Sequence, residues 1–411
     1  METKNRDTLP AMDSVTDIPA RRPRVQLQPG RSRRLRGGHP WVYSNEIVMD
    51  QAAKALPPGC LATIVDAGGE QLGVGTFNPH SLIAFRLLAR TPETVIDQAF
   101  LADRLSHALA LRQLLYPRPF YRLIHAEADG LPGLVIDRYG EVIAVQVNSA
   151  GMEQLLPPIL GAVDQILAPA AVVLKNDSPV RKLEGLDLYD RVAKGELTGP
   201  VELEENGARF LADLTTGQKT GWFYDQRDNR AAVAALAAGR SVIDFYTYAG
   251  GFAVQAARAG ASRVVAVDRS EASLSLASRS AMLNGVDVET ARADAFAEME
   301  RLTAADQRFG VVVADPPAFV KSKKDLAAGA KGYRKMARLA AGLVEAGGFL
   351  LVASCSHHMP ADAFADEVRH GLATAGRSGR ILRAAGAAAD HPIHPFLPES
   401  AYLKALLLQL D

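Results

Sequence analysis

Two cysteines among 411 residues, Cys60 and Cys355, are too few and too far apart to staple a fold or to cage a metal ion. A reducing compartment, the cytoplasm, fits such a chain. No run of about 18 apolar residues occurs, so no membrane-spanning helix is expected. Residues Met1 to Ala20 are polar, with acids and prolines, and read as a mobile tail instead of a signal peptide. The formal net charge is +0, which excludes a uniformly basic nucleic-acid coat but leaves local patches open. One such patch is present. Arg21, Arg22, Arg24, Arg31, Arg33, Arg34 and Arg36 follow one another with no acid between them, a stretch able to touch phosphates or simply to be solvated.

The length suggests roughly three domains. After a tail over residues 1–22, residues 23–92 alternate short β-like runs (Val25 to Gln28, Leu61 to Asp66, Gln71 to Phe77, Ile83 to Leu88) with Gly and Pro turns, the pattern of a β-rich module. Within it, Arg36-Gly-Gly-His-Pro-Trp-Val-Tyr combines charge, backbone access and stacking through Arg36, Trp41 and Tyr43, a set useful against RNA. Residues 93–198 read as a small α+β domain, with a helix over Thr94 to Leu115, another near Gln154 to Leu167, and strands at Leu134 to Asp137, Val142 to Asn148 and Ala171 to Asn176. A linker near Gly195 to Pro200 precedes residues 199–411. There, strands at Ser241 to Phe245, Arg263 to Val267, Val286 to Ala291, Val311 to Ala314, Gly348 to Ala353, Ile381 to Ala384 and Tyr402 to Gln409 are mostly separated by helix-length segments. Right-handed crossovers would wind them into an α/β doubly wound, Rossmann-like sheet.

Two of these strands deliver chemistry to one sheet edge. Val311 to Ala314 ends on Asp315-Pro-Pro-Ala-Phe, where the prolines stop the sheet and hold the carboxylate stiffly at the carboxyl end, the place where open α/β sheets bind ligands. Phe319 could cover a flat ring while Asp315 accepts from its exocyclic amine. The strand Gly348 to Ala353 brings Cys355 to the same edge. The plainer reading is a strand-to-loop stop and a small core residue. Asp244 to Phe252 forms a loop after the first strand, with Gly250 and Gly251 opening a helix, and Asp268 ends the next strand, where a carboxylate suits a ribose diol. Asp294 follows a third strand and is placed near an adenine amine, or caps the helix from Ala295. The Gly-x-Gly-x-x-Gly fingerprint is absent, which argues against a dinucleotide dehydrogenase.

Together these residues resemble the class I S-adenosylmethionine-dependent methyltransferases, and more closely the RlmI-type ribosomal RNA 5-methylcytosine methyltransferases. The segment from Arg36 to Tyr43 resembles the start of that family's RNA-binding PUA domain, and Lys219-Thr-Gly-Trp-Phe-Tyr-Asp-Gln-Arg its signature ahead of the catalytic sheet. Asp315-Pro-Pro-Ala-Phe is similar to its substrate loop, Ser354-Cys-Ser to its cysteine motif, and His391-Pro with Pro398-Glu-Ser-Ala-Tyr-Leu-Lys to its closing segment; Ala318 stands where the family more often has lysine. The resemblance implies S-adenosylmethionine as cofactor and no metal. It adds Lys219, Thr220, Gly221, Asp225, Gln226, Arg227 and Asn284 to Asp244, Tyr246, Gly250, Gly251, Asp268, Asp294 and Asp315 around that cofactor. Pro316, Pro317, Phe319, Arg36 and Trp41 are the expected substrate contacts. The implied partner is ribosomal RNA, naked or in a large-subunit particle, with no membrane and with a homodimer left open.

Cytosine carbon 5 is a poor nucleophile, so the resemblance implies a thiolate, Cys355, adding to carbon 6 while Asp315 holds the ring. His357 and His358 are nearby candidates for a base, though neighbouring loop histidines are commonly structural. Lys321, Lys323 and Lys324 suit RNA phosphate. Three other readings stay open: the same fold methylating a nitrogen of guanine or adenine with Cys355 a bystander, a noncatalytic RNA-binding assembly factor, and a nicotinamide oxidoreductase.

Overall fold

Glycine turns and short apolar runs build the first sheet. In the computed structural model, which describes residues 17–215, 217 and 220–411, β1 (Arg24–Gln26), β2 (Trp41–Tyr43), β3 (Cys60–Val65), β4 (Gln71–Phe77) and β5 (Ile83–Ala89) pair in the order β1-β3-β4-β5-β2. The short helices α1 (Ser32–Arg36) and α2 (Gln51–Lys54) interrupt them, and Val25, Leu35, Val42, Ile64, Phe77 and Phe85 fill the core. Strand β2 escapes sequence reading because three residues are too few to show alternation. Asp17 to Arg22, expected within the tail, is tied down: the Asp17 carboxylate takes the Arg22 guanidinium and the Ile96 N–H, the latter at 2.7 Å.

The second sheet holds β6 (Phe120–His125), β7 (Leu134–Tyr139), β8 (Val142–Val147), β9 (Ala171–Asn176) and β10 (Tyr189–Lys194) in the order β10-β9-β8-β7-β6. Helices α3 (Gln98–Leu115) and α5 (Leu156–Leu167), with the short α4 (Ala150–Gln154) before it, supply the apolar side chains that bury one face, including Leu101, Leu105 and Ile159. Helix α3 begins later than its apolar pattern because Asp97 caps it, accepting from Phe100 N at 2.9 Å. The hairpin of β11 (Val201–Glu205) and β12 (Ala208–Ala212) packs Leu203 and Phe210 into one core with Tyr139, Val173, Trp222 and Val254. That shared core joins the middle sheet to the carboxyl-terminal half of the chain.

The third sheet has seven strands: β13 (Ser241–Phe245), β14 (Arg263–Asp268), β15 (Glu289–Arg292), β16 (Phe309–Ala314), β17 (Val344–Ser354), β18 (Gly379–Ala385) and β19 (Lys404–Leu410), ordered β15-β14-β13-β16-β17-β19-β18. Helices α6 (Arg227–Ala234) and α7 (Gly251–Arg258) bury Val242, Val264, Val311 and Leu351 on one face. Helices α9 (Ala295–Ala304), α10 (Leu326–Gly342) and α11 (Ala361–Thr374) bury Ile243, Val265, Val312 and Leu350 on the other, while α8 (Glu271–Leu283) sends Leu276 into the hairpin core. Covering both faces explains the unbroken apolar runs of these strands. The first five run parallel, as the crossover argument expects; β19 runs antiparallel to both β17 and β18. Its amino end therefore meets the carboxyl ends of the parallel strands. No helix among the described residues is long and apolar enough to cross a membrane.

Arg112 locks the middle sheet to the third. Its wholly buried guanidinium donates to Asp129 at 2.6 and 2.8 Å, to the Arg122 carbonyl at 3.0 Å and to the Asp390 carbonyl at 3.0 Å. Arg112→Ala would leave Asp129 buried beside an empty space, and we expect a loss of about 3–5 kcal/mol. Urea midpoints of wild type and variant measure it; equal midpoints would make this anchor dispensable.

Candidate active site

The carboxyl ends of β13, β14 and β16 and the turn after β17 enclose a crevice of about 450 Å3. Asp315, Pro316, Pro317, Phe319 and Cys355 form one wall, and Asp268, Asp294, Tyr246 and Gly251 line the rest with Asp225 and Gln226. The expectation that two strand ends bring Asp315 and Cys355 together is met, since β16 and β17 are parallel neighbours paired from Val311↔Phe349 to Ala314↔Val352. Hydroxyls hold the two loops in place. Ser354 Oγ donates to Tyr333 Oη at 2.8 Å, Tyr333 Oη lies 2.7 Å from Ser356 Oγ, and Ser356 Oγ accepts from Val320 N at 3.1 Å. The Phe319 ring packs 4.8 Å from Tyr333 and 6.0 Å from Phe296, measured between ring centres.

The loop after β13 carries backbone strain. Tyr246 and Tyr248 have φ of 63° and 50°, a left-handed conformation that costs a side-chain-bearing residue of order 1–3 kcal/mol. Asp268 offsets part of it, with Oδ2 accepting from Tyr248 N at 3.1 Å and Oδ1 from Ser270 N at 2.8 Å. Gly251 is needed for close approach: a Cβ there would meet Arg230 Nε at 2.5 Å. Asp294 caps α9, its Oδ1 accepting from Phe296 N at 3.0 Å and Ala297 N at 3.2 Å, and it also lines the crevice.

Asp244 lies just behind the lining. Its Oδ2 accepts from Thr247 Oγ1 at 2.5 Å and Ala253 N at 3.2 Å, while Oδ1 is buried with no hydrogen-bond partner among the described residues. Burial pushes its carboxyl up to about 7, against the pull of those two donors and of Arg230; the Asp315 charge adds to the rise.

Several expected residues stand elsewhere. Asn284 caps the far end of α8, bonding the Arg209 backbone at 3.0 and 2.6 Å, so its amide is engaged by the hairpin and does not reach the crevice. Arg227 lies over the Tyr116 ring at 4.2 Å and donates to the Phe120 carbonyl, and Thr220 donates to Asp137 at 2.5 Å; both brace the segment without lining the crevice. Gly221 and Gly250 support turns, with φ of 105° and 82°. Lys219 lies outside the described residues. Arg36 is paired with Asp66 at 2.9 Å and Glu70 at 2.6 Å, and Trp41 donates its indole N–H to Glu127 at 2.9 Å, because the β3–β4 turn and the segment after β6 place carboxylates against them. Neither lines the crevice. Of the arginine run, Arg22 and Arg34 are also paired, whereas Arg21, Arg24, Arg31 and Arg33 are exposed. His357 stacks on Tyr402 at 5.1 Å. Trp222, Phe223, Arg230, Tyr248, Phe252 and Phe296 also line the crevice, and sequence reasoning does not single them out. For most of them the available signal is the aromatic density of residues 222–224 and 245–252.

Sheet order and crevice together define a methyltransferase of the Rossmann-like class, and comparison with known proteins agrees. Residues 190–409 match the S-adenosylmethionine-dependent methyltransferase family and residues 25–90 the PUA-like domain family. Ribosomal RNA large subunit methyltransferase I of Alteromonas mediterranea is 36% identical over 392 residues, covering 94% of this chain and 98% of its own. The protein of the same name from Escherichia coli O139:H28 is 36% identical over 388 residues, covering 93% and 98%. A candidate SAM-dependent methyltransferase from Streptococcus mutans superposes with a TM-score of 0.79 at 19% identity, over 94% of this chain and 100% of that one. A candidate methyltransferase complexed with SAH gives 0.80 at 19% identity, with the same coverage. The chain belongs to the S-adenosylmethionine-dependent methyltransferases, in the family of ribosomal RNA large subunit methyltransferase I. S-adenosylmethionine is its cofactor, and the crevice fits it: the Asp268 carboxylate that ends β14 lines it, aromatic walls suit an adenine, and the orphaned Asp244 Oδ1 can accept from a bound donor.

The raised Asp244 carboxyl predicts a pH dependence with a definite sign. A folded value above the unfolded one, roughly 3.9, means its contribution is intact below about pH 4 and stability is lost as pH rises through about 7. Relative to Asp244→Asn, the cofactor-free wild type should lose on the order of a few kcal/mol across that window. Urea midpoints at several pH values test this, and a difference that stays constant with pH would mean the carboxyl titrates normally.

Proposed function

We propose that the protein methylates carbon 5 of a cytosine in large-subunit ribosomal RNA, with Cys355 as nucleophile and Asp315 as the group that holds the ring. The observation that carries this reading is the meeting of a thiol and a proline-stiffened carboxylate on one wall of the crevice. The names of the relatives support the RNA class.

Each residue then has a task. Addition of the Cys355 thiolate to carbon 6 pushes electrons onto carbon 5 and makes an enamine-like nucleophile. Asp315, in a crevice walled by aromatics, accepts from the N3/N4 edge and steadies the charge that shifts there. S-adenosylmethionine, when bound, supplies an electrophilic methyl group. Loss of the carbon-5 proton and departure of the thiolate restore the ring and free Cys355. Asp268 would hold the ribose hydroxyls, Asp294 the adenine amine and Asp244 Oδ1 the methionine ammonium, while Phe319 and Pro316 flank the target base. We assign residues 23–92 to RNA placement, 93–198 to a bridge and 199–411 to the chemistry, and place the enzyme in the cytoplasm with its substrate. Exposed Arg31, Arg33, Lys321, Lys323 and Lys324 would meet phosphates.

Asp268→Ala should weaken S-adenosylmethionine binding at least tenfold by calorimetry; unchanged affinity would remove Asp268 from the cofactor site. Cys355→Ala should abolish methylation while sparing the binding of both substrates. RNA with 5-fluorocytosine at the target should trap a covalent adduct on wild type, since fluorine blocks the final elimination. Methylation that survives in Cys355→Ala would move the chemistry to a base nitrogen.

A further inference from the structure

Behind the cysteine wall lies a buried cation to which the methyl-transfer scheme gives no task. Lys404 opens β19, and because that strand runs antiparallel, it sits opposite Ser354, one residue before Cys355. Only 9% of Lys404 is exposed. Its ammonium donates to the Ser356 carbonyl at 2.6 Å and the Tyr402 carbonyl at 2.8 Å, so two of its three N–H groups are engaged by neutral acceptors. No carboxylate forms an ion pair with it among the described residues. An amine taken out of water without a counter-charge loses several kcal/mol of solvation, a cost that a neutral donor to the same carbonyls would not carry. Burial accordingly draws Lys404 down to about 8, and Cys355 is the group that draws it back up.

Among the described residues, the other titratable groups around the turn are neutral, acidic or committed to other partners. Tyr402, two residues before β19, is raised by burial and by Asp225, to which its hydroxyl donates, and Tyr333 from α10 is raised by burial; Cys355 adds to both rises, and both stay neutral near pH 7. Asp315, from the loop after β16, is an acid. His357 is stacked on Tyr402, and His125, from the end of β6, is driven well below its ordinary value by burial and by His391, Arg122, Arg112 and His357. Arg122 is committed to Asp137 at 2.6 and 2.9 Å.

We propose that Lys404 is a positioning residue that sets the ionisation of Cys355, its carbonyl-seated ammonium supplying the positive field in which the thiol becomes a thiolate at neutral pH. This rests on the reading of Cys355 as nucleophile. The carbonyls of Ser356 and Tyr402 hold the ammonium at the turn, and a thiol beside a cation ionises below an ordinary thiol. A lysine and a cysteine so placed titrate as a pair.

Alkylation of Cys355 by iodoacetamide, followed by mass spectrometry against pH in a Cys60→Ser background, reads the thiol directly. Cys60 is outside the site and its thiol is raised by burial. The midpoint should lie below the roughly 8.5 of a free cysteine. Lys404→Met should raise it by a pH unit or more and cut kcat at pH 7 about tenfold, with SAH affinity and the KM for RNA unchanged. Lys404→Arg should restore most of both. A Lys404→Met protein that binds SAH and keeps the wild-type midpoint overturns the proposal, leaving Lys404 a strut for the turn. If that variant does not fold, the native midpoint decides, and a value at or above 8.5 overturns the proposal equally. Should Cys355→Ala still methylate RNA, the cytosine reading falls, while the shift of the thiol midpoint with residue 404 is still measured and still decides the role of Lys404.

Discussion

Asp137 is the carboxylate on which the crevice depends. It has no exposure, takes the Arg122 guanidinium through two bonds of 2.6 and 2.9 Å, and accepts from Thr220 Oγ1 at 2.5 Å. A buried acid is tolerated only when such partners surround it, so the paired strands β6 and β7 and the distant segment at Thr220 are compelled to meet. Tyr139, two residues on, adds a hydrogen bond to the Thr220 carbonyl at 2.9 Å. The segment after Thr220 carries Trp222, Phe223, Asp225 and Gln226 into the crevice wall. The middle sheet thus shapes the cofactor site without touching it. Thr220 and Arg227, expected as ligands, act in this way as braces.

The need for partners also governs the acids of the site. Asp268 has both oxygens engaged by backbone N–H groups, and the bond from Tyr248 N holds the loop in which two tyrosines adopt left-handed backbone. The strain falls where the loop must turn sharply to leave the strand end open to a ligand. Asp244 is the opposite case, with one oxygen bonded and the other buried without a partner among the described residues.

Much of this architecture is legible in the sequence, for identifiable reasons. The parallel strands are covered on both faces and so are written as continuous apolar runs, which is why β13, β14 and β16 fall within a residue or two of their expected bounds. Asp315 and Cys355 are readable because each follows such a run and parallel neighbours end at one edge. The rest depends on partners far away in sequence. Nothing in the residues around Arg36 or Trp41 announces that Asp66, Glu70 and Glu127 will fold against them. Asn284 ends a helix whose far terminus faces the hairpin, a relation set by packing. Strand β2 is too short for periodicity, and the antiparallel course of β19 follows from the long connection out of β18, which no local pattern encodes.

That antiparallel strand sets an order of assembly. β19 wedges between β17 and β18, so the seven-stranded sheet has a gap beside β17 until residues 404–410 arrive. During synthesis the cofactor loops, the proline wall and the cysteine all leave the ribosome first, with Leu403 missing from the crevice lining and Lys404 from behind it. A nascent chain therefore carries every other part of the site in unfinished form, and the last strand acts as a keystone that admits function only to a chain extended through it.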